Sequence, residues 1–203
     1  SIIIPNYNGE KILQKNLPHV LEAMKGYKDG KVEIIIPNDP STDKSSEVIA
    51  SFIKNIKDPH ITGKTIENTK KEDSGFSKNV NRGVRMATGD ILILFNSDVR
   101  PYKDFLAPLL SHFADEKVFA VGCMDESVEI DKTVLRGRAV GYWARGFLHH
   151  KAGDVTKTNT LWASGGSSAF RRSIWDRIGG LDNLFNPFYW EDIDLSYRAL
   201  KSG

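Results

Sequence analysis

Ile91-Leu92-Ile93-Leu94-Phe95-Asn96-Ser97-Asp98 is the stretch that decides the fold. Five apolar residues in unbroken succession fit a strand buried on both faces, because an exposed face would place polar residues at every second position. The run stops at an amide, a hydroxyl and a carboxylate, all oxygen donors of the kind a hard divalent cation takes. Two further polar clusters stand in comparable places. Asn38-Asp39 follows Val32-Glu33-Ile34-Ile35-Ile36, and Glu191-Asp192 follows Phe188-Tyr189-Trp190. Together the three clusters point to one site for a metal and a phosphorylated ligand.

Outward from this strand, strands and helices alternate. Ile2-Ile3-Ile4 is another continuous apolar run, and residues 32–36 form the second strand. A helix is expected from near Leu17, with Asn16 as its cap and Pro18 in its first turn. Ser41 or Thr42 is expected to cap a helix carrying Val48, Ile49, Phe52, Ile53 and Ile56 at helical spacing. Residues 60–67 read as a more polar edge strand. Residues 76–87 read as a helix, residues 105–113 as another, and residues 118–121 as a strand. Residues 124–161 break the rhythm and read as an insertion, or a second half, that covers the site. Order returns at Trp162-Ala163-Ser164-Gly165-Gly166, followed by a short helix over 172–178 and a last helix from Glu191. The fold class is therefore α/β, a Rossmann-like, mostly parallel sheet flanked by helices. Ligands of such sheets bind at the carboxyl ends of the strands, where Tyr7-Asn8, Asn38-Asp39 and Asn96-Ser97-Asp98 fall.

Composition narrows the class of partner. The 203 residues carry 28 Lys and Arg against 26 Asp and Glu, a net charge of +2 that gives no argument for nucleic acid. The single cysteine, Cys123, excludes an internal disulfide and reads as a packing residue. No apolar run approaches the ~20 residues that span a bilayer, and no signal peptide is visible. The chain opens inside a strand without Met and stops as a helical pattern begins, so a single domain excised from a longer chain is expected. Its nucleotide-binding half would be 1–123 and its acceptor and catalytic half 124–203.

Five segments resemble, in order, the motif set of the family 2 glycosyltransferases. They are Ser1-Ile-Ile-Ile-Pro-Asn-Tyr-Asn8, Ile36-Pro-Asn-Asp-Pro-Ser-Thr-Asp43, Gly75-Phe-Ser-Lys-Asn-Val-Asn-Arg-Gly83, Gly89-Asp-Ile-Leu-Ile-Leu-Phe-Asn-Ser-Asp98 and Phe188-Tyr-Trp-Glu-Asp-Ile-Asp-Leu-Ser-Tyr-Arg198. The resemblance implies a nucleotide-diphospho-sugar transferase (GT-A type) architecture and an inverting transfer from a UDP-, dTDP- or GDP-sugar to a glycan or lipid-linked acceptor. A role in cell-surface polysaccharide synthesis is expected. So is a cytoplasmic location at the inner face of the membrane, with membrane association supplied by parts outside this chain.

Position by position, the resemblance implies that Pro5, Tyr7 and Asp39 line the base and ribose pocket, with Asn81 and Ser97 near the nucleotide. Asp98 would be the metal ligand, beside Asn96, for Mg²⁺ or Mn²⁺. Gly165 and Gly166 would floor the donor sugar, with Trp190 beside the donor or acceptor. Asp192 would be the catalytic base and Glu191 its neighbour in the pair. Two departures stand out. Asn38-Asp39-Pro40 replaces an acidic motif that ordinarily ends in Gly, and Asn96 replaces the first acid of the metal motif. On the first prediction drawn from this pattern, Asp39→Ala would weaken nucleotide binding with little loss of fold stability.

The chemistry agrees with the residue types. A nucleoside diphosphate leaving group concentrates negative charge, which a divalent cation neutralises. The acceptor hydroxyl needs a base, and a carboxylate opening a helix is kept ionised by the helix dipole. Simpler readings hold elsewhere. Asp43 reads as a helix cap, Asp194 as a helix-start charge, Tyr189 and Trp190 as core, His149-His150 as exposed loop, and Lys70-Lys71 and Arg171-Arg172 as solvated surface. Two other functions compete. One is a non-catalytic nucleotide- or glycan-binding module, for which the missing acids at 38 and 96 argue. The other is a nucleotidyltransferase, which would show a Gly-rich basic loop in place of Pro5-Asn6-Tyr7-Asn8-Gly9. No Gly-x-Gly-x-x-Gly follows the first strand, which argues against a dinucleotide oxidoreductase.

Overall fold

The continuous apolar runs do become central strands. The computed structural model describes residues 1–203. It contains one six-stranded sheet of β1 (Ile2–Ile3), β2 (Val32–Asn38), β3 (Ile61–Glu67), β4 (Ile91–Phe95), β5 (Ala120–Gly122) and a later strand, Ser167–Arg171. Two separate hairpins come between β5 and that strand: β6 (Asp125–Val128) with β7 (Thr133–Arg136), and β8 (Ala139–Ala144) with β9 (Phe147–Ala152). Ser167–Arg171 is therefore β10. The sheet order is β3-β2-β1-β4-β10-β5. β1 to β4 pair in parallel, whereas β10 is antiparallel to both β4 and β5. The two expected halves thus share one sheet, because β10, from beyond residue 123, lies between β4 and β5.

Alternation along the strands feeds two cores. Ile2, Ile4, Ile34, Ile36, Ile93 and Phe95 face one side, packed by α1 (Glu10–Lys25), α2 (Ser45–Lys54) and α4 (Leu106–Ser111) through Leu13, Leu17, Ile49, Leu106 and Leu109. Ile3, Ile35, Leu92 and Leu94 face the other, packed by α3 (Phe76–Met86), α5 (Arg172–Ile178) and α6 (Glu191–Lys201) through Val80, Val84, Trp175 and Leu195. Each such burial contributes about 1.5–3 kcal/mol. Two apolar faces are why these strands read as unbroken apolar runs.

Three local expectations change. α1 begins at Glu10, so Pro18 lies inside it and Asn16 is an interior residue, buried against the sheet edge. Asp43, read as a helix cap, does accept from Ser45 N at 3.0 Å, and its carboxylate also accepts from Glu10 N at 2.9 Å, a reach to α1 that the sequence did not show. It thereby serves the first turns of α1 and α2 together, in place of the caps expected of Asn16 and of Ser41 or Thr42. Arg171 and Arg172 are tied in rather than merely solvated. Arg171 donates to the Val118 and Phe113 carbonyls at 3.0 and 2.8 Å, and Arg172 to Ala87 O at 2.5 Å.

Glu33 is the one charged residue on the central face of β2, and the sheet supplies its partners. Lys64 pairs with it from β3, Ser1 Oγ donates at 2.5 Å and Thr88 N at 2.8 Å. Burial pushes its carboxyl up, but these donors together outweigh burial and hold it at about 2, below the ordinary 4.5. A depressed folded pKa means stability that is complete above pH 4.5 and is lost as pH falls toward 2. The expected contribution is on the order of 1–3 kcal/mol. Urea midpoints measured from pH 7 to pH 3 should therefore drop more steeply for the parent than for Glu33→Gln. Parallel curves would remove Glu33 from the acid limb.

Candidate active site

One edge of the sheet gathers the polar ends. β1, β2, β4 and β5 finish there, and antiparallel β10 starts there. Backbone bonds knit the segments just beyond the strands. Asp39 N donates to Asn6 O and Asn6 N to Pro37 O, both at 2.9 Å; Asn96 N donates to Gly166 O at 2.8 Å and Cys123 N to Ser167 O at 2.9 Å. The expectation that Tyr7-Asn8, Asn38-Asp39 and Asn96-Ser97-Asp98 share one edge agrees with this topology.

At the β4 end, Asn96 and Asp98 point to solvent and Ser97 is half-buried. The turn is held from α1: Asn16 Nδ2 donates to Ser97 O at 3.0 Å, and Arg100 Nε to Asn16 Oδ1 at 2.7 Å. Beside it stands a carboxylate that the sequence did not single out. Asp125 follows β5 as Asp98 follows β4, and it accepts from Ser167 Oγ at 2.6 Å. Burial raises its pKa, and the charge of Asp98 raises it further against the pull of Ser167. The signal that could have found it is positional, an acid just beyond the carboxyl end of a sheet strand. Oxygen donors of this kind fit Mg²⁺ or Mn²⁺ rather than a soft metal. No group of three or more His, Cys, Asp or Glu side chains is gathered for a metal. Diphosphate oxygens and water would have to complete the shell.

At the β2 end, Asp39 is 3% exposed and heavily bonded. Its Oδ1 accepts from Arg82 Nη1 at 2.9 Å and from Asn68 Nδ2 at 3.0 Å, and its Oδ2 from Gly75 N at 2.9 Å. Arg82 also donates to Asn79 Oδ1 and to Asp73 O. The expectation that Asp39 carries little of the fold stability does not survive this arrangement, since its loss strands a mostly buried guanidinium. Asn38, fully buried, is shared among Asn6, Ser46 and Glu67. Tyr7 is 63% exposed and Pro5 half-buried, both on the open side of this edge. Asn81 is placed differently from the expectation. It exchanges bonds with the Leu181 backbone at 2.7 and 3.1 Å, so its amide is spent joining α3 to the loop before α6. Arg82, the next residue, is the one that reaches Asp39.

Between the corners lie Gly165 and Gly166. A Cβ on Gly166 would sit 2.6 Å from Asn96 Nδ2, and one on Gly165 would meet the Phe76 ring at 3.3 Å and Asp192 Cβ at 3.7 Å. A side chain at 166 would push the Asn96 amide away, and one at 165 would press on the Phe76 ring while only touching Asp192. Asp192 accepts from Gly165 N at 3.2 Å and from Ile193 N at 2.8 Å. Glu191 is 5% exposed, and its Oε2 has no partner. Burial raises its pKa, and the Asp192 charge adds to that. The pair is therefore unequal: Asp192 is hydrogen-bonded and half-exposed, and Glu191 is buried and disfavoured as an anion.

Trp190, the residue before α6, has a φ of 83° and is 43% exposed; Tyr189 is 74% exposed. Both differ from the core reading, because they cover the mouth of the edge and not its interior. His150 sets its ring edge-on to Trp190 and to Trp162, each centroid 5.1 Å away. His149 and His150 lie on β9 and not on a loop.

The mostly parallel sheet flanked by helices is the GT-A glycosyltransferase fold, as solved structures show. The fold is similar to the crystal structure of GalNAc-T7 with UDP, GalNAc and Mn²⁺, at a TM-score of 0.71 and 16% identity, over 100% of this chain and 40% of that one. It also matches the Pyrobaculum calidifontis mannosyltransferase PcManGT in complex with GDP-Man and Mn²⁺, at 0.66 and 20% identity, over 98% and 50%. The chain belongs to glycosyl transferase family 2, whose model matches residues 1–179. A probable glycosyltransferase of Bacillus subtilis, YdaM, is 26% identical over all of the chain and 47% of its own length. A beta-monoglucosyldiacylglycerol synthase of Nostoc sp. is 23% identical over 98% of the chain and 40% of its own length. The chain thus spans less than half the length of these curated relatives. None of its helices is long and apolar enough to cross a membrane.

Proposed function

We propose that this domain transfers a glycosyl group from a nucleoside diphosphate sugar to an acceptor hydroxyl, with inversion at the anomeric carbon. The observation that carries the reading is the Gly165-Gly166 approach, which sets Asp192 and Asn96 against neighbouring residues of one loop. The acceptor hydroxyl at Asp192 and the diphosphate beside Asn96 and Asp98 would flank one anomeric carbon, which needs the two groups close together. Relatives named for diacylglycerol and dolichyl phosphate products favour a lipid-linked acceptor.

In this reading Tyr7 and the Asp39 region take the nucleoside. Asp98, with the Asn96 carbonyl and Asp125, would hold Mg²⁺ or Mn²⁺ at the diphosphate. Bound there, the cation would neutralise charge on the leaving group. Asp192 takes the acceptor proton. The amides of Gly165 and Ile193 donate to its two oxygens and fix its orientation. Glu191, raised by burial, orients its neighbour or the acceptor. One base and one direct displacement give inversion, with no covalent intermediate on the protein.

Calorimetry of nucleoside diphosphates with Mn²⁺ and with EDTA tests the proposal. Binding is expected only with metal, and Asp98→Ala should weaken it by about tenfold or more, the scale of one lost charge-assisted contact. In a melting assay, ligand at ~100 times its dissociation constant should add roughly 2.7 kcal/mol. Equal binding in EDTA and Mn²⁺ would sink the metal assignment.

A further inference from the structure

The β8–β9 hairpin belongs to no other sheet, and its charge is one-sided. From Arg138 to Gly153 there is no Asp or Glu, but there are Arg138, Arg145, Lys151 and two histidines. This one segment has three fixed cations, more than the net +2 of the whole chain. Arg145 and Lys151 are exposed and appear in no ion pair, and Arg138 is spent on Asn159. Pairing register sorts the faces. Tyr142 stands opposite His149, Ala144 opposite Phe147 and Val140 opposite Lys151, so these six share one face. The other face carries His150, against Trp162 and Trp190, and Trp143, 6.0 Å from Tyr197 of α6. That inner face docks the hairpin beside the helix that begins with Glu191-Asp192. The outer face has no partner: Tyr142 is 61% and Phe147 72% exposed. The turn at the tip is Arg145-Gly146, with φ of 50° and 82°, and the space around a Cβ at Gly146 is empty. Positive φ at both central residues is the hairpin turn whose twist matches its flanking strands, and it sets the tip in open space.

We propose that this outer face is a docking surface for an anionic lipid bilayer, which would bring lipid-embedded acceptors to the edge where α6 starts. Two observations select a bilayer over a soluble sugar chain. Aromatic rings with a polar rim and unpaired cations match the boundary between acyl chains and acidic headgroups. The same face has no Asp, Glu, Asn or Gln, the side chains that bind sugar hydroxyls in pairs of hydrogen bonds. The docking stands apart from the catalytic reading, because it involves no donor and no metal.

The test is co-sedimentation of the purified chain, without nucleotide or metal, with phosphatidylglycerol vesicles, phosphatidylcholine vesicles and soluble dextran sulfate. Binding is expected to phosphatidylglycerol and to fall with added salt. Arg145→Asn with Lys151→Gln should weaken it about 25-fold, since each cation near an acidic surface is worth about 5-fold. Asn tolerates the left-handed backbone at 145. Phe147→Ser should weaken it several-fold with unchanged melting temperature. Lys11→Gln with Lys15→Gln, equally exposed on α1, should leave it unaltered. Equal loss with the α1 pair, equal affinity for both vesicle types, or tight binding to dextran sulfate without binding to vesicles would each overturn the proposal. Failure here with nucleotide binding intact leaves the transferase reading standing.

Discussion

Asp192→Asn is expected to lower sugar transfer by about 10²–10⁴-fold, the usual contribution of a positioned base. Donor affinity should stay close to that of the parent. The substitution preserves shape and removes the anionic proton acceptor, while its single amide oxygen keeps one of the two bonds from Gly165 and Ile193. Glu191→Gln should cost much less. Glu191 is already the buried and less easily ionised member, so its neutral form resembles glutamine. The measurement needs transfer rates and donor affinities on the same preparations. Transfer by Asp192→Asn at the parent rate would shift the role to Glu191. A parent protein that binds donor and Mn²⁺ but glycosylates nothing across a broad acceptor panel would favour the binding-module reading.

Asp39→Ala is expected to destabilise the fold by about 3–5 kcal/mol, because it leaves Arg82 buried without its counterion. The Gly75 amide and Asn68 would lose an acceptor with it. Asp39→Ala combined with Arg82→Met should recover most of that loss, since removing both charges together costs far less than removing one. Nucleotide affinity should fall in both variants if Asp39 faces the base. Denaturant midpoints decide the first part and calorimetry the second. An Asp39→Ala protein as stable as the parent would show that Arg82 finds another partner.

The central strands β1, β2 and β4 were legible because they are buried on both sides, with Glu33 the one charge inside the apolar run of β2. Ile91–Phe95 was read to the residue for that reason. The start of α1 was not legible, because its capping carboxylate, Asp43, comes from more than thirty residues away. Arg82 and Asp125 were missed for a related cause. Arg82 sits inside an amphipathic helix, where a cation normally means solvent, and only the fold turns it onto Asp39. Asp125 follows the three-residue strand β5, too short to announce itself by pattern. The hairpins of 124–161 alternate polar and apolar residues weakly, because their outer faces are not covered.

β10 has a consequence for how this chain reaches its native state. It is the only strand that pairs with β5, and it also closes the free side of β4. Both of its neighbours precede it, separated from it by the two hairpins. During synthesis from the N-terminus, β1, β2, β3 and β4 can assemble as a parallel layer while β4, an apolar strand, still presents an edge of unpaired backbone N–H and C=O groups. A border of that kind is a template for association with other chains. The nascent layer is thus most vulnerable between the emergence of Phe95 and that of Arg171. Release of the chain inside that interval would yield an aggregating fragment, and release after it a closed sheet.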